Sequence, residues 1–496
     1  MDSAFSNDEP LESRMLDSTE NSSNYQDIEV QHQQLLQNQQ LSYASSLFSQ
    51  NTHTPTKVSN VIVNNSECVR SAVLQSYVDQ TIGRATTLEQ LCEESDILNM
   101  KLISNGLVES CTQTVDSRGV LHYDLNERNL RPSYAMFNGS GTALSVVDVV
   151  SILNLQPLKK FTAKTGTNVG NGEGDGYLQF QWRNAFGGGE KLTFDATKGT
   201  KTHSSYLVDY AQPVSPFWSW DSAIYKNSRA LGNLELLLRG MRASLTSTFE
   251  KHKNVNHEFL YEYVWRNTSA SGSHTSDSLL MQCGNDIKTA LGYSLFWDSR
   301  DKPIFPSSGN FFKISNELAL NSFWKVGLET SKVKSWRRNN FFTMSASLKG
   351  GYINNFHPKS KAIHTSDKFH CGGSNDVRSF NLMGLGPKDL FDSLGGDAFV
   401  SYGVSVFSRL PVKRWSESNF RLHAFVNGGR LINSNGCSAK SCVQALSREH
   451  SISTGLGVVF GHPVARFELN FTVPLTAHAS DSVRKGFQYG IGLSFL

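Results

Sequence analysis

Along the last nine residues, Gln488 to Leu496, apolar positions alternate with small or polar ones. Tyr489, Ile491, Leu493 and Phe495 fall on one face with Phe487 before them, while Gln488, Gly490, Gly492 and Ser494 fall on the other. Period-two alternation over about nine to eleven residues is what one strand of a membrane-spanning β-barrel needs, because apolar side chains meet lipid while small or polar ones line the lumen. A strand of a soluble sandwich alternates in the same way, so recurrence decides. Phe259, Tyr261, Tyr263 and Trp265 alternate with Glu258, Leu260, Glu262 and Val264. Phe342, Met344, Ala346 and Leu348 alternate with Thr343, Ser345, Ser347 and Lys349. In the run from Arg466 to Val473, a cation, an anion and an amide (Arg466, Glu468, Asn470) share one face, and Phe467, Leu469, Phe471 and Val473 share the other. From about Lys159 onward such segments are separated by Gly, Asn, Ser, Asp and Pro. Residues 159–496 allow roughly twenty-one residues for each of sixteen strands with its connection, a usual size for such barrels. An even strand count puts both barrel ends on one side of the membrane.

Composition agrees. The chain has 496 residues, 39% apolar, 11% aromatic and 18% charged, and no run of 18 consecutive apolar residues, which excludes a helical membrane protein. Residues 1–57 differ: Gln, Ser and Asn dominate, and eight carboxylates face only Arg14 and Lys57. This segment reads as a disordered acidic tail without a cleaved address. The formal charge of +3 therefore hides a mildly basic remainder, too diffuse to argue for nucleic acid.

Residues 58–158 read as a small mixed α/β domain. Val61 to Val63 and Leu121 to Asp124 suggest strands, Val69 to Ile82 and Thr87 to Asn105 suggest helices, and Ser145 to Leu155 adds an apolar run. Thr87 followed by Gln90 has the spacing of a capping box. The seven cysteines lack regular spacing and read as free thiols. Cys437 with Cys442, or His364 and His370 with Cys371, lack a second pair at metal-site spacing, so neither a metal nor a cofactor is expected. Glycines 166, 170, 172, 174 and 176 are not followed by the Gly-Lys-Ser/Thr of a phosphate loop and read as a flexible hairpin between the first two strands. Asp298 and Asp301, beside Arg300, Pro303 and Pro306, read as a structured turn instead of a hydrolytic carboxylate pair. No arrangement supports an enzyme.

The most distinctive stretch is CGGSNDVRSFNLMGLGPKD, Cys371 to Asp389, a glycine-rich loop around one arginine. Val377, Arg378, Ser379 and Phe380 resemble the (V/I)RG(F/Y) tip of loop six in the outer-membrane assembly superfamily, which includes BamA-type insertases and two-partner secretion translocators. Asp298 to Asp301 with Pro306 and Gly309 resemble its strand-turn-strand segment, and Phe425 to Gly429 its thirteenth-strand motif. The chain looks closest to the fungal mitochondrial branch, the channel subunit of the sorting and assembly machinery. The resemblance departs at Ser379, where the family usually has glycine, and at Asn427, where bacterial members carry aspartate. It implies that loop six folds into the lumen and that wall residues Asn427 and Gly429 receive it. With an amide at 427, Glu468 is the candidate charge partner for Arg378. The N-terminal domain is similar to a single polypeptide-transport-associated (POTRA) domain, which in the mitochondrial branch faces the intermembrane space.

The expected fold is thus an all-β transmembrane barrel of sixteen antiparallel strands with a small N-terminal POTRA-like domain and a disordered tail. Barrel closure must pair the first strand (Phe161, Thr162, Ala163, Thr165, Gly166, Thr167) with the last (Gln488, Gly490, Leu493, Phe495), and both are rich in glycine or short polar residues, which weaken a strand. This seam is expected to open as a lateral gate that pairs with incoming β-barrel precursor polypeptides in the mitochondrial outer membrane. The resemblance implies membrane lipid and peripheral cytosol-facing subunits as further partners. The competing readings are a passive pore, a polypeptide-translocating barrel of the same superfamily, and a soluble all-β enzyme.

Overall fold

The computed structural model describes residues 51–124, 132–133, 143–170, 173–199, 204–248, 255–272, 274–336, 341–358, 362–410, 418–434, 439–463, 465–492 and 496, with isolated positions between 39 and 50. The expectations for Gly172, Cys437, Leu493 and Phe495 fall outside these, as do nearly all of those for residues 1–50. Two compact units emerge: Met1–Ser66, Leu74–Lys101 and Ser110–Gln156 form one, and Glu67–Val73, Leu102–Glu109 and Pro157–Leu496 the other.

In the first unit a four-stranded sheet has the order Thr56–Asn64, Ala143–Pro157, Val108–Asp124, Pro132–Ser133, with the first two strands parallel. Its helices are Ser71–Gln80 and Leu88–Ser104. The second begins as its sequence suggests: Gln90 N–H donates to Thr87 Oγ1 at 3.3 Å, which satisfies one orphan donor of the first turn, and Gln90 Oε1 reaches back to accept from the N–H of Thr86, just before the cap, at 3.1 Å. Leu74, Tyr77, Leu91, Leu98, Val149 and Leu153 are buried. Burial also pushes the Cys111 thiol up to about 11, and the six described cysteines are free.

The second unit is a sixteen-stranded antiparallel barrel, counted here in chain order from Phe161–Gly170 to Gly486–Gly492. Each strand pairs with its chain neighbours, so the register follows from short hairpins. The loop between the eleventh strand, Phe342–Asn355, and the twelfth, Ala398–Arg409, is the exception in length. Alternation sorts the two faces cleanly. On the fifteenth strand, Arg466–Thr476, the side chains of Phe467, Leu469, Phe471 and Val473 are exposed while Arg466, Glu468, Asn470 and Thr472 are buried. An apolar outer face suits lipid, and hydrogen bonding from strand to strand suits a medium without water. Among the described residues no helix is long and apolar enough to cross a membrane, as a strand-built span requires.

The segment around Asp298 is a turn. Asp298 accepts from Arg300 Nε at 2.8 Å and Nη2 at 2.7 Å, and Asp301 accepts from the main-chain N–H of Ser307 at 2.8 Å. Both carboxylates are thereby occupied with local structure. Gly170, Gly174 and Gly176 lie on the hairpin of the first two strands, as expected, and Tyr177 lies across Gly166, where an added Cβ would come within 2.7 Å of its hydroxyl.

The first and sixteenth strands are the two ends of the sheet. Among the described residues, the first strand is bonded to the second and the sixteenth to the fifteenth, with no ladder between them.

Candidate functional site

The long loop, residues 356–397, reaches its tip at Val377 to Phe380. Arg378 is 1% exposed. Its Nε and Nη2 donate to Glu468 Oε2 on the fifteenth strand at 3.1 and 2.9 Å, and Nη1 donates to the main-chain oxygen of Leu496 at 3.2 Å. The guanidinium carbon lies 4.6 Å from the ring centre of Phe425. Strand alternation makes Glu468 inward-facing, and that is why it can meet the loop. The same carboxylate pairs with Arg466, whose guanidinium lies 4.7 Å from the Phe407 ring, and accepts from Asn470 Nδ2 at 2.8 Å. One buried anion therefore serves two buried cations, and each partner's removal has a different electrostatic consequence.

Asn427, on the thirteenth strand Phe420–Ile432, turns its amide to the loop's main chain. Its Nδ2 donates to the Asp376 carbonyl at 3.2 Å, and its Oδ1 accepts from Ser453 Oγ at 2.5 Å; Ser453 Oγ also lies 2.6 Å from the Arg378 carbonyl. Asn427 and Ser453 thereby hold the tip by a main-chain clasp. A carboxylate has no N–H to donate, and the amide does. Gly429 leaves room for Val377, since an added Cβ would lie 3.1 Å from Val377 Cγ2 and 3.0 Å from the Val400 carbonyl. Val377, Phe380, Cys371 and Leu385 pack with Leu431 and Leu496 into a buried cluster.

Ser379 has φ 69°, the left-handed region. Here lies the physical reason for the family's glycine at this place. The serine is held by its main chain: its N–H donates to Gln488 Oε1 at 3.0 Å and its carbonyl accepts from Arg484 N–H at 2.8 Å. Ser379→Gly should raise the temperature at which the folded barrel loses its compact gel mobility, because the left-handed cost of about 1 kcal/mol is relieved, while Ser379→Val should lower it.

The tip thus grips the sixteenth strand. Besides Gln488, Ile491 offers its carbonyl to Asn375 Nδ2 at 2.9 Å, and Phe380 bridges Val483 just before the strand. Gly490 lies opposite Glu468 in the ladder. The first-strand residues Phe161, Thr162, Ala163, Thr165, Gly166 and Thr167 form a separate group on the other side of the seam; Thr165 Oγ1 donates to the Tyr177 carbonyl at 3.0 Å.

A second attachment of the loop was not singled out from sequence. Asp367, 6% exposed, accepts from Arg266 Nη1 at 2.5 Å and from Lys288 Nζ at 3.0 Å, and its carbonyl accepts from Lys325 Nζ at 2.7 Å. Burial alone would raise this carboxyl, but Lys288 and Arg266 hold it below the usual carboxylate range. The available signal was three cations of inward parity, Arg266, Lys288 and Lys325, on the seventh, eighth and tenth strands. His364 and His370, considered for a metal, serve this attachment instead: His364 Nε2 is 3.1 Å from Thr268 Oγ1, and His370 Nε2 is 3.0 Å from the Thr365 carbonyl.

A sixteen-stranded barrel whose lumen holds an arginine-tipped loop between strands eleven and twelve defines a class, and the Omp85 superfamily domain matches residues 184–495. BamA from Haemophilus ducreyi lacking POTRA domains 1–3 shares the fold, with a TM-score of 0.64 and 14% identity over 88% of this chain and 84% of that one. Within that superfamily the chain belongs to the family of the sorting and assembly machinery 50 kDa subunits. It is 39% identical to the sorting assembly machinery 50 kDa subunit of Saccharomyces cerevisiae, covering 90% of this chain and 95% of that protein. Identity to the human sorting and assembly machinery component 50 homolog is 28%, covering 86% and 91%.

Proposed function

We propose that this protein inserts β-barrel precursors into the mitochondrial outer membrane, and that the insertion site is the seam between its first and sixteenth strands. The reading is carried by one observation: among the described residues these two strands end the sheet, bonded on one side each, while the loop tip holds the sixteenth from within the lumen. An unpaired strand edge in lipid leaves donors and acceptors unsatisfied at several kcal/mol each. A precursor strand laid along the first strand would satisfy them by β-augmentation, exchanging one backbone ladder for another without a nucleotide. Arg378 and the tip would then act on the sixteenth strand, keeping it apart while the precursor folds. The N-terminal unit is read as a single POTRA domain in the intermembrane space, where it would meet precursors before the seam does. As a sorting and assembly machinery subunit the protein works in a complex, and its peripheral partners are placed on the cytosolic face.

The test is a single cysteine at Thr165 in an otherwise cysteine-free version, presented with a radiolabelled barrel precursor carrying one cysteine in its last strand. A disulfide that vanishes when that strand is scrambled is the expected result. Absence of the crosslink at every first-strand position, with ion conduction by the purified protein intact, would replace the gate with a pore.

A further inference from the structure

We propose that Asp367 is a positioning residue: it fixes loop six to the wall half a circumference away from the seam, and so makes the loop a strap with two ionic ends. The proposal rests on the gate reading and adds the far end to it. At the tip, the loop contributes a cation, Arg378, to an anion on the fifteenth strand. Eleven residues earlier it contributes an anion to cations on the seventh and eighth strands and its main-chain carbonyl to Lys325 on the tenth. In a closed sixteen-stranded barrel, the seventh and eighth strands stand opposite the fifteenth and sixteenth.

The far end is built for one carboxylate. Arg266, Lys288 and Lys325 face Asp286, Glu317 and Asp367, so three cations meet three acids. Two of the acids belong to the wall, on the eighth and ninth strands. The third comes from the loop. Without it, one buried and two half-buried cations keep two acids, a state that low-dielectric surroundings penalise. Arg266 is shared among Asp367, Asp286 and Ser366, whose Oγ lies 3.0 Å from Nη1, and the Thr365 N–H donates to Gln282 Oε1 at 2.8 Å. The loop enters the lumen through a polar socket beside apolar packing of Ile363 and Phe369 on Ala319, Phe323 and Ile353, and its opposite ends carry opposite charges.

A strap fixed at one end only would let its tip travel with the sixteenth strand. Fixed at both, it resists displacement of that strand toward the seam and returns it once a precursor leaves. Asp367 is therefore expected to matter for release, and not for docking on the first strand.

In membranes holding the full chain with Thr165→Cys in the cysteine-free version, the precursor crosslink and the appearance of released, folded precursor are followed together. Asp367→Asn should leave the crosslink within about twofold and slow release about tenfold, the change that one lost charge-assisted hydrogen bond makes. Asp367→Glu, which keeps the charge, should recover most of the rate. Adding Arg378→Ala to Asp367→Asn should slow release no further than Arg378→Ala alone, since two cuts in one strap are not additive. Unchanged release in Asp367→Asn, or slowing that multiplies in the double variant, would overturn the proposal. If Asp367→Asn does not accumulate in the membrane, Arg266→Lys keeps the charge balance while giving up the forked contact, and must slow release in the same way; parental release in it overturns the proposal equally. Failure of the gate reading looks different, because the crosslink is then absent in the parent as well.

Discussion

Glu468→Ala should undock the loop tip and destabilise the barrel more than Arg378→Ala does. Glu468 is 3% exposed and faces two guanidinium groups, those of Arg378 and Arg466, both nearly inaccessible to water. Removing Arg378 leaves a neutral pair, Glu468 with Arg466. Removing Glu468 leaves two cations close together with no carboxylate between them. Breaking a buried pair in that direction costs about 3–5 kcal/mol, and each 1.4 kcal/mol is about tenfold in an equilibrium. Loop docking should therefore weaken by roughly two to three orders of magnitude. Chymotrypsin cleavage after Phe380, a tip residue 1% exposed that every variant retains, measures the docked fraction in intact membranes, and precursor assembly should fall with it. Glu468→Gln should lie between parent and alanine, because an amide oxygen still accepts from Arg378 while the charge is gone. Equal protection in Glu468→Ala and Arg378→Ala would show that charge count is not what holds the tip.

Gly309→Ala should prevent this protein from completing its own barrel. Gly309 opens the ninth strand with φ 113°, and an added Cβ would lie 2.4 Å from the Ser299 carbonyl oxygen and 2.6 Å from Arg300 Cα. Both obstacles are main chain, so no rotamer change clears them. The turn cannot give way cheaply either: Ser299 N–H donates to the Asn310 carbonyl at 2.9 Å, and Arg300 is clamped to Asp298 with its guanidinium carbon 4.5 Å from the Phe311 ring centre. Strain and clash together should exceed about 3 kcal/mol. The variant should arrive at the membrane but lack the heat-modifiable, compact gel band of a folded barrel. A normal band would mean that the turn between strands eight and nine deforms freely. The two variants fail at different stages, Gly309→Ala in its own assembly and Glu468→Ala in service to others.

What could be read in the sequence followed from period two. The run Arg466 to Val473 announces both its strand and its faces, because lipid and lumen impose opposite demands on adjacent residues. Inwardness of Glu468 follows from the same alternation, and with it the candidate partner for Arg378. Helix limits near Leu88 were visible through the Thr87 and Gln90 cap. Side-chain bookkeeping across the lumen was less visible. Asn427 could be placed on the right strand and face, yet its hydrogen bonds to Asp376 and Ser453 depend on how the loop's main chain passes it, which no local pattern encodes. Asp367 lies in a loop whose composition resembles any solvated turn, and only its meeting with Arg266 and Lys288, far away in the chain, makes it an anchor.

The edges of the first and sixteenth strands, which share no ladder among the described residues, have a kinetic consequence. An edge that accepts a precursor is a template and not a reagent, for nothing in it is used up. In the proposed gate the precursor would leave when its own first strand competes successfully for its last strand, a strand displacement whose driving force resides in the client. Turnover would then depend on how quickly each client closes upon itself as well as on the strap that returns the sixteenth strand, and a client unable to close would occupy the template as a dead-end inhibitor.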